Sequence, residues 1–338
     1  MRAILYKGPL EIFLEDVQKP QPSHNEVLVK VKLAGICGSD VHYIKGKFNY
    51  SKVPIIPGHE GAGIVEAVGE HVKRLKKGDR VVINYVLSCG ECYYCRIGRD
   101  NLCDKIRLIG FDLDGTWAEY TLVPERNLLK LPSNISFEYG AISGCALVTP
   151  FHAVKMSGLF PGESVAVIGL GGVGINAIPI VRMLGASKII GIDTDPMKLD
   201  VAEKYGADLV IGSSEDMIDK VKEETNGGVD VCFEFVGSLD TIVKAIKITR
   251  KGGRVVLVGL TPDYIQINVP ELLFNEKRIL TSIDHTMKDL DELLVLMERG
   301  DLTFQYSISN IIKIEDVPHI IEKKIEGRYG GFRTLIKL

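Results

Sequence analysis

The alternation of short apolar segments with helix-length segments over residues 148–283 constrains the fold of this 338-residue chain most strongly. The apolar segments have the length of strands, and in chain order they are ESVAVIG, SKIIGID, DLVIG, VDVCFEF and GGRVVLVG. Segments such as PMKLDVAEKYG and LDTIVKAIKIT separate them. Strands that are apolar on both sides and alternate with helices are typical of a parallel sheet covered on both faces. The pattern therefore predicts a doubly wound α/β domain.

The first of these strands runs into a glycine turn. The segment SVAVIGLGGVGINA places the spacing Gly169-x-Gly171-x-x-Gly174 between a strand and a helix, which is the context that dinucleotide binding requires. Gly169 permits the tight turn, Gly171 lets the backbone approach a pyrophosphate, and Gly174 allows close packing of the helix on the strand. The start of the helix offers free N–H groups to the anion. We predict that this turn, including Gly172 and Val173, binds a dinucleotide.

Asp193 ends the next strand, SKIIGID, and follows Gly174 by nineteen positions. A carboxylate at this place accepts hydrogen bonds from the ribose hydroxyls and repels a 2′-phosphate, and no arginine comes directly after it. This favours NAD over NADP. The alternative is a glycine-rich turn in an α/β domain without a ligand. Pro179 falls within the expected helix and should kink it beyond the first turn.

The first third of the chain has the pattern of short, mostly antiparallel strands. In EVLVKVKL (26–33), the odd-numbered apolar residues alternate with the even-numbered residues, Leu28 among them, as in a half-buried strand. The segments GHEGAGIVEAVG and KKGDRVVIN continue as strands interrupted by Gly and Asp turns.

Four of the seven cysteines lie in one short segment, CGECYYCRIGRDNLC. The spacing Cys89-x2-Cys92-x2-Cys95-x7-Cys103 allows tight turns to direct four thiolates at one zinc ion. Such a shell is closed, so this zinc should be structural. An iron–sulfur cluster is a rarer alternative at similar spacing, and four unrelated cysteines are the remaining one.

A second metal site is suggested by residues distributed along the chain. Cys37 lies in AGICGSDVH, Cys145 lies in ISGCALVTP, and PGHEGAGIVEAVG with His59 and Glu60 lies between them. Two thiolates and one imidazole form a three-ligand catalytic zinc shell with an open fourth position. Each residue alone is a weak signal, because a single Cys or His more often packs than binds metal. Cys232 lies in an apolar strand and is expected to be a buried, inert thiol.

Composition excludes several classes of function. The formal net charge of −3 provides no basic field for phosphate backbones, so a nucleic-acid partner is not expected. No apolar run reaches the roughly 18 residues that a membrane span needs, and the N-terminal segment acquires Gly, Pro and acidic residues too early for a signal peptide. We expect a cytoplasmic protein without disulfides.

Taken together, these motifs resemble the zinc-dependent medium-chain alcohol dehydrogenases over essentially the whole chain. The family signature GHExxGxxxxx[GA]xx[VIC] appears as Gly58-His59-Glu60, then Gly63, Gly69 and Val72. The resemblance implies a GroES-like, mostly β catalytic domain formed by residues 1–147 and 284–338, with a structural zinc lobe at about 88–104. It also implies a Rossmann cofactor domain formed by residues 148–283.

The resemblance implies two zinc ions per chain and a role for each ligand. Cys37, His59 and Cys145 would hold the catalytic zinc, and Glu60 would stand behind it as an outer group or an exchangeable ligand. Asp40 would orient the imidazole of His59. The four-cysteine cluster would hold the structural zinc.

Further residues are implied in proton transfer and cofactor binding. Ser39 would hydrogen-bond the alcohol, and His42 would pass its proton toward solvent through the cofactor ribose. The cofactor residues implied are Thr149 at the nicotinamide, Asp193 and Lys198 at the adenosine ribose, and Arg333 of FRTLIKL at the pyrophosphate.

Departures from the family pattern bear on the substrate. Gly38 stands where the animal liver enzymes carry a phosphate-binding arginine, so Arg333 and the glycine turn would do more of that work. The segment after Cys103 is short, as in the tetrameric microbial members. Cys145 stands where polyol dehydrogenases of the family usually carry Glu. This favours hydride transfer between NAD and a simple primary or secondary alcohol, with its aldehyde or ketone, in a homo-oligomer that is a tetramer or a dimer. A polyol, sugar or L-threonine dehydrogenase is the alternative, since CGSDVHY also resembles those branches.

Two different classes of protein stay open. Reductases of activated double bonds share the fold but generally lack the zinc ligands. Some lens proteins related to the family keep the fold without an enzymatic role, and such proteins have no need of an intact ligand set.

Overall fold

The computed structural model describes residues 1–214, 216–261 and 264–338. Packing divides the chain into two compact units. The first contains Met1–Val148, Asp284–Gly300 and Ile308–Leu338, and the second contains Thr149–Ile283 and Asp301–Ser307. Over the described residues, no helix combines the length and the apolar character needed to cross a bilayer.

The described residues form strands and helices that are numbered here in chain order. The strands β1 to β17 are Arg2–Gly8, Glu11–Asp16, Glu26–Ile36, Glu60–Val68, Arg80–Ile83, Val86–Leu87, Arg107–Leu108, Tyr120–Pro124, Leu128–Lys130, Ser164–Ile168, Lys188–Asp193, Leu209–Gly212, Val229–Glu234, Thr249–Leu257, Arg278–Thr281, Ile308–Lys313 and Arg333–Lys337. The helices α1 to α11 are Gly38–Ile44, Tyr93–Arg96, Phe137–Ile142, Val148–Ser157, Ala177–Met183, Pro196–Lys204, Met217–Glu224, Leu239–Ile248, Val269–Phe274, Met287–Glu298 and Val317–Ile325. A π-helical turn covers Ser143–Leu147, and 3₁₀ turns cover Asp100–Leu102, Glu125–Asn127, Gly174–Asn176 and Ile314–Asp316.

Strand β3 is the central element of the first unit. It pairs antiparallel with β4, β8 and β17 in a sheet whose strand order is β16-β17-β3-β4-β5-β9. The expected one-sided burial of residues 26–33 is wrong at Leu28, which is only 2% exposed. Most of β3 is buried on successive residues, and α3 packs against β3 and β4. The strand therefore belongs to the interior of the unit.

The second unit contains a parallel sheet with the order β12-β11-β10-β13-β14-β15. Numbered from β10, this is the order 3-2-1-4-5-6 of dinucleotide-binding folds. The order reverses between β10 and β13, and the glycine turn follows β10 directly. The predicted doubly wound parallel sheet is confirmed.

The helix after the glycine turn differs from the expected one at Pro179. The 3₁₀ turn Gly174–Asn176 comes first, and α5 begins only at Ala177. Pro179 is thus the third residue of α5 and lies in its first turn. Proline is tolerated there because N–H groups of the first turn have no partner within the helix. The chain begins a new helix before Pro179 and does not kink an existing one.

Candidate zinc sites and cofactor-binding loop

Four buried side chains of the first unit form one group of potential metal ligands: Cys37, His59, Glu60 and Cys145. Their ligand atoms all lie within 4.8 Å of one another. Cys37 follows the end of β3, His59 and Glu60 lie at the start of β4, and Cys145 lies in the π-helical turn. Because β3 and β4 pair with Gly35 opposite Glu60, the two strands bring the sequence-distant residues together.

Glycines of the signature motif allow the backbone to adopt this arrangement. Gly58 has φ +92°, and a Cβ there would lie 2.1 Å from Cδ1 of the buried Trp117. Trp117 donates from Nε1 to the carbonyl oxygen of Gly35 at 2.9 Å. A Cβ on Gly63 would lie 2.2 Å from the carbonyl oxygen of Lys30. These glycines are therefore required by close packing around His59.

Asp40 links two of the grouped residues. Its Oδ2 accepts a hydrogen bond from the backbone N–H of Cys37 at 2.7 Å, and its Oδ1 lies 2.9 Å from Nδ1 of His59. With Nδ1 donating to the carboxylate, Nε2 of His59 is left to bind a metal ion. Asp40 is fully buried, so this pairing fixes the imidazole orientation.

The two buried thiols behave as a pair. A hydrogen bond from Cys145, together with the positive charge of Arg333, holds the pKa of Cys37 well below its ordinary value. The same contact and burial raise the pKa of Cys145. Two thiols that share one proton next to an imidazole are a donor set that suits zinc, which binds thiolate and neutral imidazole.

Glu60 carries an unpaired buried oxygen beside this group. Its Oε1 accepts a hydrogen bond from the backbone N–H of Ala146 at 3.0 Å and lies 3.1 Å from Nη2 of Arg333. Among the described residues, its Oε2 has no hydrogen-bond partner although it is buried. Burial raises the pKa of Glu60 to about 7, against the opposing charge of Arg333. A cation at this position would satisfy the unpaired oxygen.

Arg333 is buried in the first unit and ion-paired with Glu60. Its Nη1 donates to the carbonyl oxygen of Ile36 at 3.3 Å. Its Nη2 is engaged in the ion pair with Glu60, whereas its Nε has no hydrogen-bond partner among the described residues. The guanidinium therefore retains Nε as a donor for an anion.

Ser39 and His42 lie on the short helix α1, which begins directly after Cys37. Their spacing of three residues places them as neighbours on one helix face. Ser39 is half-buried and His42 is exposed. Although His42 is exposed overall, partial burial, and then the charges of Lys47 and Lys45, lower its pKa. His42 is therefore set to be neutral, and to accept a proton, near neutral pH.

Aromatic side chains surround His59. The ring of Tyr85 lies 4.9 Å from the imidazole, and the ring of Phe111 lies 5.0 Å from it. Phe48 and Tyr50 pack on Tyr43 at 5.5 and 5.0 Å. Of Tyr85, Phe48 and Tyr50, only Tyr85 has a ring contact with His59 among the described contacts.

The four clustered cysteines come together as a second group, with all four Sγ atoms within 4.8 Å of one another. Backbone N–H groups donate to the sulfurs: Cys92 to Cys89 at 3.3 Å, and Cys89 to Cys103 at 3.1 Å. Hydrogen bonds from the N–H groups of Glu91 and Cys92 lower the pKa of Cys89 to about 6. N–H groups directed at sulfur stabilise the thiolate form of cysteine. Four thiolates are the ligand set of a closed zinc shell.

In the second unit, the glycine turn has the shape of a phosphate cradle. Gly169 has φ +88°, and a Cβ on Gly174 would lie 2.0 Å from the carbonyl oxygen of Gly169. A Cβ on Gly171 would meet no described atom within 4 Å. Protein packing thus requires glycine at the first and third positions only. The open space at Gly171, next to Gly172 and Val173, fits a pyrophosphate.

Asp193 and Lys198 lie together beyond this turn. Asp193 ends β11 and accepts hydrogen bonds from the backbone N–H groups of Leu170, at 2.8 Å, and Asp195, at 3.0 Å. Nζ of Lys198 lies 3.3 Å from Oδ1 of Asp193. Thr149, at the start of α4, has a buried Oγ1 without a hydrogen-bond partner among the described residues. The Asp193–Lys198 pair and the hydroxyl of Thr149 are therefore polar groups that a ligand could contact.

Two positioning residues were missed in the sequence, Gly35 and Trp117. A Cβ on Gly35 would lie 1.9 Å from Oε2 of Glu60. Trp117 is the only tryptophan of the chain, which is a signal that could have marked it. No pattern in the sequence distinguishes Gly35 from glycines in turns.

A GroES-like unit with two clusters of zinc-ligand chemistry and a dinucleotide-binding unit define the class of zinc-binding dehydrogenases. Residues 23–133 match the family model "Alcohol dehydrogenase GroES-like domain", and residues 172–299 match "Zinc-binding dehydrogenase". The chain belongs to the zinc-dependent medium-chain alcohol dehydrogenase family, as the motifs predicted.

Three similar proteins show how far this likeness extends. An alcohol dehydrogenase of Geobacillus stearothermophilus is 36% identical over 335 residues, covering 98% of this chain and 97% of that protein. A sorbitol dehydrogenase of Bacillus subtilis is 36% identical over 288 residues, covering 82% and 80%. The solved structure of the alcohol dehydrogenase TADH from Thermus sp. ATN1 has a TM-score of 0.93 and 35% identity, covering 100% and 99%. The predicted class, a zinc-dependent oxidoreductase of alcohols or polyols that acts on small molecules, is confirmed.

Proposed function

We propose that this chain is an NAD-dependent alcohol dehydrogenase that interconverts a primary or secondary alcohol and its aldehyde or ketone. The observation that carries the proposal is the complete buried ligand set, with donor atoms of Cys37, His59, Glu60 and Cys145 within 4.8 Å. Double-bond reductases and non-enzymatic relatives have no need of such a set, and burying four ionisable groups is costly unless they bind a partner.

The two cysteines and His59 would hold the catalytic zinc, and Glu60 would be an outer group or an exchangeable ligand. When bound there, zinc supplies Lewis-acid chemistry that lowers the pKa of an alcohol hydroxyl and polarises a carbonyl. The chain itself handles the proton. Ser39 would accept it from the substrate hydroxyl, and His42, one turn further along α1, would deliver it to solvent.

Residues of the second unit would hold NAD. The backbone of Gly169–Gly174 would bind the pyrophosphate, Asp193 and Lys198 would bind the adenosine ribose, and Thr149 would face the nicotinamide. Arg333 is proposed to bind the pyrophosphate as well, supported by Nε, which has no hydrogen-bond partner among the described residues. The support for NAD over NADP is the carboxylate of Asp193, which disfavours a 2′-phosphate.

The four clustered cysteines would bind a second zinc ion with a structural role. Their closed donor set leaves no position for substrate. We therefore propose two zinc ions per chain for the function described here.

A polyol, sugar or L-threonine dehydrogenase is the second candidate. The resemblance of CGSDVHY to those branches favours it, as does the likeness to the sorbitol dehydrogenase. Cys145 in place of Glu among the ligands supports the simple-alcohol reading.

Assembly and location complete the proposal. A homo-oligomer, tetramer or dimer, is supported by exposed apolar residues on α9 of the second unit, where Phe274 is 84% exposed. We also propose a cytoplasmic location. The domain boundaries, 1–147 with 284–338 and 148–283, stay predictions that limited proteolysis can test.

The deciding experiment is the initial rate of NAD⁺ reduction by zinc-replete protein across primary and secondary alcohols, polyols, aldoses and L-threonine, with NADP⁺ in parallel. We expect a simple alcohol to be oxidised fastest, with NAD⁺ preferred. His59→Ala should abolish the rate and lower the zinc content by one ion per chain, whereas His319→Ala, an exposed histidine, should change neither. Preference for NADP⁺ would refute the cofactor assignment, and a faster polyol or threonine reaction would favour the second candidate.

A further inference from the structure

Two loops of the first unit bring two imidazoles and a carboxylate together at the protein surface. His24 lies in the loop between β2 and β3, and Glu70 and His71 lie in the turn that follows β4. One ligand atom from each of the three residues lies within 4.8 Å of the other two. None of these residues takes part in the function proposed above.

The backbones of the two loops are fastened to each other. The N–H of His71 donates to the carbonyl oxygen of His24 at 2.8 Å. The N–H of Gly69 donates to the carbonyl oxygen of Glu26 at 2.9 Å. A Cβ on Gly69 would lie 2.0 Å from the carbonyl oxygen of Ser23, so glycine is required for this approach. The two histidines are thus held side by side by main-chain contacts and do not depend on long flexible segments.

The side chains converge on one point. Nδ1 of His24 contacts Oε1 of Glu70, and Nε2 of His71 lies 3.9 Å from the same oxygen. The two imidazole rings stack with centroids 5.3 Å apart and an angle of 22°. All three side chains are 60–70% exposed. Ion pairs at such exposure contribute little to stability, so packing alone does not account for the cluster.

We propose that His24, Glu70 and His71 bind a divalent transition-metal ion such as Zn²⁺ or Ni²⁺. Imidazole nitrogen suits zinc, nickel and copper, whereas Ca²⁺ and Mg²⁺ select oxygen ligands throughout. The exposure of the three side chains leaves the other coordination positions to water. This ion would be additional to the two zinc ions of the proposed function, and its binding does not depend on that function.

The test counts bound ions in untagged, zinc-replete protein. Wild type is compared with His24→Ala/His71→Ala, with Glu70→Gln, and with His319→Ala after dialysis against micromolar free Zn²⁺. His319 is a matched control, because it is an exposed histidine that also pairs with a glutamate. Its Nδ1 lies 3.7 Å from Oε2 of Glu322, and that pair contains one imidazole where the proposed site contains two. Metal content is measured by elemental analysis, and Ni²⁺ affinity is measured by calorimetry on the same proteins.

We expect the double variant to bind one zinc ion fewer per chain than wild type, and the His319 variant to bind the same number. Loss of an outer-shell partner weakens metal sites about 10–100-fold, so loss of both imidazoles in the double variant should weaken Ni²⁺ binding at least as much. Equal zinc content in wild type and the double variant would overturn the proposal, as would an equal loss in His319→Ala. The mass of the protein in solution should not depend on the metal. A metal-dependent doubling of mass would show that the ion binds between two chains, and it would overturn the proposal of a site within one chain. The difference between variants tests this site, and the absolute count tests the two-zinc function.

Discussion

Gly35 illustrates how a single residue without a side chain determines the position of a charged one. Gly35 lies opposite Glu60 in the β3–β4 pair. The carboxylate of Glu60 occupies the space that a Cβ on Gly35 would need. Nε1 of Trp117 donates to the carbonyl oxygen of Gly35. The end of β3, just before Cys37, therefore lacks a side chain at the position where the carboxylate of Glu60 in β4 lies.

Replacing Gly35 by Ala should disturb the site and destabilise the unit. A Cβ 1.9 Å from Oε2 of Glu60 forces that side chain to move, and such overpacking costs about 1–3 kcal/mol. Urea denaturation and zinc content measure the effect. Gly38→Ala is the control, because a Cβ there meets nothing within 4 Å and should be neutral or stabilising. Equal stability of the two variants would contradict this explanation.

The pH dependence of activity should report on His42. In the proposed proton path, His42 must be neutral to take the substrate proton on from Ser39, so kcat/KM should fall as the pH drops through the pKa of His42. Burial and the charges of Lys47 and Lys45 hold this pKa below its ordinary value of 6.5. Lys47→Gln removes one cause of the lowering, so the pKa of His42 should rise and activity should be lost at a higher pH.

Two controls accompany the pH profile. Lys52→Gln removes an exposed lysine that pairs with Asp114, and it should leave the profile unchanged. His42→Gln should remove the acidic limb and lower the rate. An unchanged acidic limb in His42→Gln would show that another group carries the proton.

At the level of elements, the second unit follows its sequence pattern more closely than the first. The apolar runs of residues 164–257 match β10 to β14, because strands buried on both faces leave a continuous apolar signal. Strand β15 was missed, since its four residues, RILT, begin and end with polar ones. Strand β3 was found, but the burial of Leu28 was not, because it depends on packing against elements that are distant in sequence.

The cysteine lobe is an element whose structure should depend on metal. It contains only the short helix α2 and a 3₁₀ turn between its cysteines, and metal binding commonly supplies the folding free energy of such segments. Cys92→Ser should lower the zinc content by one ion per chain and speed proteolysis within residues 88–104. Cys232→Ala, at a buried thiol in β13, should leave the zinc content unchanged. Unchanged zinc content in Cys92→Ser would contradict the assignment.

At the level of the whole molecule, the motifs predicted the class of protein and the residues that form the two clusters of potential metal ligands, but several site contacts were not predictable. Cys37, His59 and Cys145 were recognisable from motif order, because metal chemistry restricts residue types. The cluster of His24, Glu70 and His71 was not, since its members are joined by loop contacts that leave no spacing signature. The same holds for Arg333, whose ion pair with Glu60 joins the last strand to the fourth.

NAD⁺ should stabilise the protein against unfolding more than NADP⁺ does. A ligand at about 100 times its dissociation constant adds about 2.7 kcal/mol to the free energy of unfolding. NAD⁺ should therefore raise the melting temperature more than NADP⁺ at equal concentration. Asp193→Asn should reduce the difference, whereas Asp200→Asn, which removes an exposed carboxylate paired with Lys204, should not. An equal shift by both cofactors in wild type would contradict the role of Asp193.

The π-helical turn at Ser143–Leu147 limits which insertions and deletions the chain can accept. A turn of this kind holds more residues than an α-helical turn, and it interrupts what would otherwise be a regular run from α3 into α4. Deleting one residue here could restore regular winding, but it would rotate the remaining ligand position by about 100° around the helix axis. Cys145 would then face away from Cys37 and His59. With Cys145 as a proposed zinc ligand, coordination chemistry would fix the chain length of this turn, even where folding alone would tolerate a shorter segment.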